Sequence, residues 1–151
     1  MQNFNSIDEI LDFAIKNEQN AVDFYNDLSH TARSADMKTV FEQFAREEMG
    51  HKAKLMKIKE EGVVSLGEAR VLDLHLADYT VKAEAKDSMT YEEALVLAMK
   101  REKAAFRLYS KLASGAPNLE LKKLFEGLAM EESKHKLRFE IEYDEYVLRE
   151  N

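Results

Sequence analysis

Six side chains in this sequence are of metal-binding types and are spaced for that work: Glu18, then Glu48 and His51, then Glu102, then Glu132 and His135. Each falls on an apolar stripe, where a hydrophobic residue would ordinarily stand. Burying a lone carboxylate is costly unless it is paired, protonated or bound to a cation. Four such groups together would repel one another, so something positive must sit among them. No Lys or Arg shares these stripes near the same level, which leaves His or a metal. Residues three apart on a helix share a face, so each Glu-x-x-His offers a carboxylate and an imidazole to one ion. Four carboxylates and two imidazoles suit two adjacent ions of the harder divalent type, iron or manganese, better than copper or a lone structural zinc. Two divalent ions would also balance the four negative charges. The competing reading is a set of solvated or His-paired acids in an ordinary helical bundle.

The elements that must position these groups announce themselves in pairs. Ser6 with Glu9 and Thr90 with Glu93 read as capping boxes. After the first, Ile7, Leu11, Ala14, Glu18, Val22, Tyr25 and Leu28 follow three/four spacing; after the second, Leu95, Ala98, Glu102, Phe106, Tyr109 and Leu112 do so. Polar breaks at Ser29–Asp36 and Gly115–Asn118 precede two further stripes. These are Met37, Phe41, Phe44, Glu48, His51, Leu55 and Ile58, then Leu121, Phe125, Leu128, Glu132, His135 and Phe139. Gly62 is positioned to cap the second helix.

Sliding one half over the other by 84 positions superposes Ser6 on Thr90, Glu18 on Glu102, Tyr25 on Tyr109, Phe41 on Phe125, Glu48 on Glu132 and His51 on His135. Amphipathic helices match by chance at apolar positions, but not simultaneously at caps, acids, Tyr and Glu-x-x-His. The chain therefore reads as a duplicated helical hairpin: hairpin one about 6–62, hairpin two about 90–149, and a crossover over 63–89 too long for adjacent antiparallel helices. The expected architecture is all-α, a four-helix bundle with one long crossover in a single domain spanning 1–151. Counting from the turns, Glu18 and Glu48 both lie roughly 18–21 Å away at about 1.5 Å per residue. The repeat places Glu102 and Glu132 at the same level, so all six groups are expected near mid-bundle.

At this point the residues carry a family resemblance. Glu18, Glu48-Met49-Gly50-His51, Glu102 and Glu132-Ser133-Lys134-His135 resemble the ferritin-like di-iron carboxylate superfamily, most similarly the rubrerythrin di-iron domain with a bacterioferritin-type ligand set. The resemblance covers roughly residues 5–147. It implies a ferritin-like fold in which Glu48 and Glu132 bridge two irons, Glu18 and Glu102 are terminal, and His51 and His135 each complete one iron. It also implies redox reaction of a diferrous centre with hydrogen peroxide or dioxygen; the cofactor is then a pair of iron ions, with manganese in place of one of them as the open alternative. A ferroxidase or iron-storage protein is the nearest alternative, and a metal-free helical interaction module the more distant one.

The sequence departs from that pattern in places. Rubrerythrins carry a further Glu three residues after the third-helix ligand, where this chain has Ala105. They usually carry a four-Cys rubredoxin domain, and this chain has no Cys, so electrons are expected from an external donor protein. Met49 follows the bridging Glu, where bacterioferritin-like proteins hold haem, and Met there is more commonly surface packing. The short tail after His135 favours a homodimer over a large shell. Tyr25 and Tyr109, two turns past Glu18 and Glu102, are candidates for hydrogen bonds to the ligands. Glu47 and Glu131 are read as solvated, Gly50 and Gly127 as either a close helix contact or space near the metals, and His30 and His75 as ordinary turn and crossover residues.

Composition excludes much else. A net charge of −7 without a segregated basic stripe argues against nucleic acid. Nothing approaches the roughly 20 apolar residues of a membrane span. Met1 to Ile10 lacks the basic start and apolar stretch of a signal peptide. The absence of Cys removes disulfides, iron–sulfur ligation and thiol catalysis from within the chain. A cytoplasmic location is the resulting expectation.

Overall fold

A computed structural model describes residues 7–61, 89–116 and 118–150. Four α-helices account for nearly all of them: α1 (Ile7–Thr31), α2 (Ala35–Glu61), α3 (Tyr91–Ser114) and α4 (Leu119–Glu150). The described residues contain no strand. Helices α1 and α2 pack as one compact unit, and α3 and α4 as the other.

Each helix start has a local cause. Thr90 is extended (φ −73°, ψ 163°), its hydroxyl accepts from the Glu93 amide, and the Glu93 carboxylate accepts from the Thr90 amide, which completes the expected capping box. Two caps at repeat-related positions escaped the sequence reading. The Ser34 hydroxyl accepts from the Met37 amide at 3.1 Å, and Asn118 Oδ1 accepts from the Leu121 amide at 2.9 Å. These side chains satisfy first-turn amides that would otherwise lack an intrahelical partner. Acidic residues occupy the first turn of every helix (Asp8 and Glu9, Asp36, Glu92 and Glu93, Glu120), where the helix dipole favours negative charge.

The first hairpin turn is tighter than its polar break suggested, while the second falls at 115–118 as expected. Only residues 32–34 separate α1 from α2, so His30 belongs to the last turn of α1 rather than to a loop. The second turn begins at Gly115, whose amide donates back to Lys111 O at 3.2 Å. The Ser6 cap, Gly62, His75 and the crossover up to residue 88 lie outside the described residues.

The predicted stripes are the core. Leu11, Ala14, Val22, Tyr25 and Leu28 of α1 are buried, as are Met37, Phe41, Phe44, Leu55 and Ile58 of α2. The second unit repeats this with Leu95, Ala98, Tyr109 and Leu112 of α3 and Leu121, Phe125, Leu128 and Phe139 of α4. Full burial of a side chain such as Phe41 or Phe125 stabilises by about 1.5–3 kcal/mol. Phe106 is the exception. Expected in the core, it is 39% exposed, because Leu108 and Tyr109 fill the inward face of that turn instead. No helix among the described residues is long and apolar enough to cross a membrane.

Candidate metal centre

In the first hairpin α1 contributes Glu18, and α2 contributes Glu48 with His51 one turn on. All three are buried, although their neighbours on the same faces are apolar. Each offers a ligand atom within 4.8 Å of the others'. His51 Nδ1 stands 3.2 Å from Glu18 Oε2 and 3.2 Å from Glu48 Oε1, so one ring nitrogen faces two carboxylates on different helices. The levels counted from the turn are thereby met: a residue well inside α1 reaches one equally deep in α2.

The second hairpin repeats the triad. Glu102 of α3 and Glu132 with His135 of α4 are buried and offer ligand atoms within the same 4.8 Å. His135 Nδ1 lies 3.7 Å from Glu102 Oε2 and 3.8 Å from Glu132 Oε1, beyond hydrogen-bond length. The duplication of chain is thus a duplication of site chemistry: two carboxylates and one imidazole per hairpin, with Nδ1 turned toward the acids in both.

Electrostatics in the first triad bear the mark of crowded negative charge. The Glu18 carboxyl is pushed from its ordinary 4.5 up to about 8, chiefly by burial and next by the neighbouring Glu48 carboxylate, while the contact with His51 pulls it back. A divalent ion would favour the ionised form instead. Oxygen donors from two carboxylates with one imidazole nitrogen form a hard-to-borderline set that suits Fe(II) or Mn(II) and lacks the thiolates of a structural zinc or copper(I) site. The residues present fit such an ion.

Other residues sort against expectation. Tyr25 and Tyr109 are buried, Tyr25 edge-on to Phe44 with ring centroids 6.1 Å apart and Tyr109 stacked on Phe125 at 6.5 Å. Packing on aromatic neighbours therefore contributes to their placement. Glu47 is half-buried and accepts from Gln43 Nε2 at 2.8 Å. Met49 is exposed. Gly50 and Gly127 are exposed, and a Cβ added at either would meet nothing within 4 Å. The close-contact reading of these glycines is therefore overturned.

One buried acid was missed. Glu142 is fully buried seven residues beyond His135, and its Oε2 accepts from the Tyr91 hydroxyl at 2.8 Å. Its position two turns along the ligand stripe was the available signal, but the stripe was read only as far as Phe139. The repeat-related residue in hairpin one is the apolar Ile58.

Comparison with known proteins places this geometry. The family model for rubrerythrin matches residues 9–145. A Thermotoga maritima crystal structure, assigned as a ferritin-like diiron-carboxylate protein, is 22% identical and superposes with a TM-score of 0.83, covering 97% of this chain and 99% of that one. A hypothetical protein from Pyrococcus furiosus is 27% identical with a TM-score of 0.72, covering 92% of this chain and 89% of that one. No curated protein matches. The likeness over nearly the whole chain establishes the fold class as an all-α, ferritin-like four-helix bundle.

Proposed function

This chain belongs to the rubrerythrin family, and from that premise we propose that its two triads together hold a pair of iron ions in a non-haem oxidoreductase acting on hydrogen peroxide or dioxygen. The observation that carries the reading is the duplicated triad, Glu18 with Glu48 and His51, and Glu102 with Glu132 and His135, each buried with its ligand atoms clustered. Glu18, Glu48 and His51 would hold iron in hairpin one, and Glu102, Glu132 and His135 would do so in hairpin two, each Glu-x-x-His supplying a carboxylate and an imidazole. When bound, an iron pair supplies two electrons, one from each ion, to a peroxide or oxygen substrate.

The chain's own residues set the terms. Burial of all six side chains keeps bulk water from competing for the site. Glu18 holds a proton near neutral pH in the absence of a cation and releases it when a cation arrives, so loading is coupled to proton loss. Ala105, three residues after Glu102, offers no fifth carboxylate at that position. The six-residue ligand set is therefore symmetric between hairpins. Tyr25 and Tyr109 are assigned to orienting the carboxylates. Reducing equivalents come from a separate donor protein, and the protein works in the cytoplasm.

The test is anaerobic loading with Fe(II), metal analysis, and stopped-flow absorbance on mixing with peroxide or oxygen. About two irons per chain and oxidation that ends with the bound pair support the proposal. Oxidation of added Fe(II) far beyond that ratio assigns the protein to iron storage instead. A protein that binds no metal after reconstitution ends the di-iron reading altogether.

A further inference from the structure

Hairpin two carries a cluster of phenols that hairpin one lacks. Three of the chain's six Tyr gather where α3 begins and α4 ends: Tyr91, Tyr143 and Tyr146. The Tyr91 hydroxyl donates to the fully buried Glu142 carboxylate at 2.8 Å. The half-buried Tyr146 ring packs edge-on against Tyr91, with centroids 5.1 Å apart. Tyr143 makes a contrasting bond, donating at 3.0 Å to Glu92, which is exposed. The internal repeat supplies a control. The positions related to Tyr91, Glu142, Tyr143 and Tyr146 are Ile7, Ile58, Lys59 and Gly62. The same kind of hairpin with the same triad is thus built without the phenol–carboxylate pair. Burying a carboxylate two turns past His135 carries a desolvation cost that the fold does not demand.

A phenol that keeps its proton is a poor one-electron reductant, because the oxidised phenol is a very strong acid. A base already bonded to the O–H removes that obstacle, since electron and proton can leave together. Glu142 is such a base, and its burial holds the proton beside the phenol oxygen until an electron returns. Glu92, open to solvent, has no such hold on a proton from Tyr143. We propose that Tyr91 is a one-electron redox site with Glu142 as its captive proton acceptor, serving the metal centre from about 10–11 Å beyond His135 along α4. On oxidation the Tyr91 O–H bond breaks and its proton moves to Glu142 Oε2, leaving a neutral tyrosyl and a carboxylic acid. The electron reduces a peroxide-derived radical to hydroxide, where peroxide has received one electron at the centre instead of two. An electron from the donor protein then restores the phenol, and the proton moves back. Only the natural oxidant in this scheme rests on the iron reading given above.

The test begins without iron. In the chelated full-length protein, photogenerated tris(bipyridine)ruthenium(III) serves as the one-electron oxidant, and tyrosyl formation is followed by transient absorbance and electron paramagnetic resonance. The parent should give a tyrosyl signal that forms at a rate independent of buffer-base concentration and slows in deuterium oxide. Tyr91→Phe should lose most of that signal, while Tyr143→Phe keeps it. Glu142→Gln should slow the oxidation about 10²-fold, the low end of what a positioned base contributes, and make it depend on buffer base, with helical circular dichroism unchanged. Should Glu142→Gln fail to fold, Tyr91→Phe, which keeps the ring, still decides where the radical resides. Freeze-quenched samples of iron-loaded parent mixed with peroxide should then show the same signal, absent from Tyr91→Phe. A chelated protein that oxidises at Tyr91 but binds no iron on reconstitution upholds the pair and ends the iron reading, so the two failures are distinct. An equal signal from Tyr91→Phe, or a Glu142→Gln variant as fast and as indifferent to buffer as the parent, overturns the proposal.

Discussion

His51 Nδ1 and Glu18 Oε2 lie 3.2 Å apart across the α1–α2 interface, and the proton balance of this pair is set by what else is buried with it. With no cation present, burial and the Glu48 carboxylate raise the Glu18 carboxyl to about 8. A dication replaces that proton. The apparent affinity for Fe(II) or Mn(II) should therefore climb between pH 6 and pH 8 and level off above about 8. Calorimetric titration in buffers of different ionisation enthalpy should show proton release at neutral pH, and Glu18→Gln should abolish the part that originates at this site. Equal release from parent and variant would remove Glu18 from the account.

The same shift fixes the sign of a stability effect in the metal-free protein. Glu18 has a folded-state value, about 8, above its unfolded value of 4.5. The folded state thus binds the proton more tightly, and stability falls as pH rises through that window. After exhaustive chelation the melting temperature should be higher at pH 5 than at pH 8 as far as this group decides it. Metal loading should shrink or reverse the difference. A metal-free melting temperature that rises across the window for the parent and for Glu18→Gln alike would contradict the assignment.

Stability and function should pull apart at the ligands. Each buried carboxylate costs desolvation that a metal-free core need not bear. Glu48→Leu or Glu132→Leu should lower iron content well below the parent's about two per chain, yet leave the metal-free protein as stable as the parent or about 1–4 kcal/mol more so. Urea unfolding of chelated protein reads the second effect and metal analysis the first. Loss of metal together with equal loss of metal-free stability would mark these acids as structural.

How far the site was legible in the sequence follows from periodicity. Glu18, Glu48, His51, Glu102, Glu132 and His135 stood out because a buried helical stripe leaves polar residues conspicuous, and the 84-residue repeat marked them twice. Side-chain caps at Ser34 and Asn118 were overlooked because each sat inside a polar break with several other candidates. Phe106 was misplaced because three/four spacing admits two neighbouring stripes, and only packing buries Leu108 in its place. Glu142 escaped because the fourth stripe was read only as far as Phe139, and the tyrosine that it bonds lies 51 residues away.

Gly50 offers a direct gain in stability. Glycine inside a helix costs about 1 kcal/mol relative to alanine, and a Cβ here would meet nothing within 4 Å. Gly50→Ala should stabilise the protein by about 0.4–1 kcal/mol without changing iron stoichiometry, although His51 is adjacent. Denaturant unfolding and metal analysis check both halves. A variant that loses metal would mean that the glycine serves the site through backbone freedom rather than through space.

Tyr91 and Glu142 break the repeat symmetry on the ligand stripe. Where hairpin two buries a carboxylate on the ligand stripe, hairpin one has Ile58. The Tyr91 hydroxyl donates to Glu142 Oε2 at 2.8 Å from the first residue of α3, which ties the start of that helix to the last third of α4. A buried hydrogen bond of this kind contributes about 1 kcal/mol, and leaving its partner short of it costs about 1–3 kcal/mol; Tyr91→Phe removes it while keeping the ring that packs edge-on against Tyr146 at 5.1 Å. The variant should lose about 1–2 kcal/mol of stability, measured by urea unfolding. Replacing both partners, Tyr91→Phe with Glu142→Leu, should recover most of it, because the acid left without its tyrosine is then gone as well. Failure of the double variant to recover would show that Glu142 is held mainly by other groups and that the tyrosine contributes little.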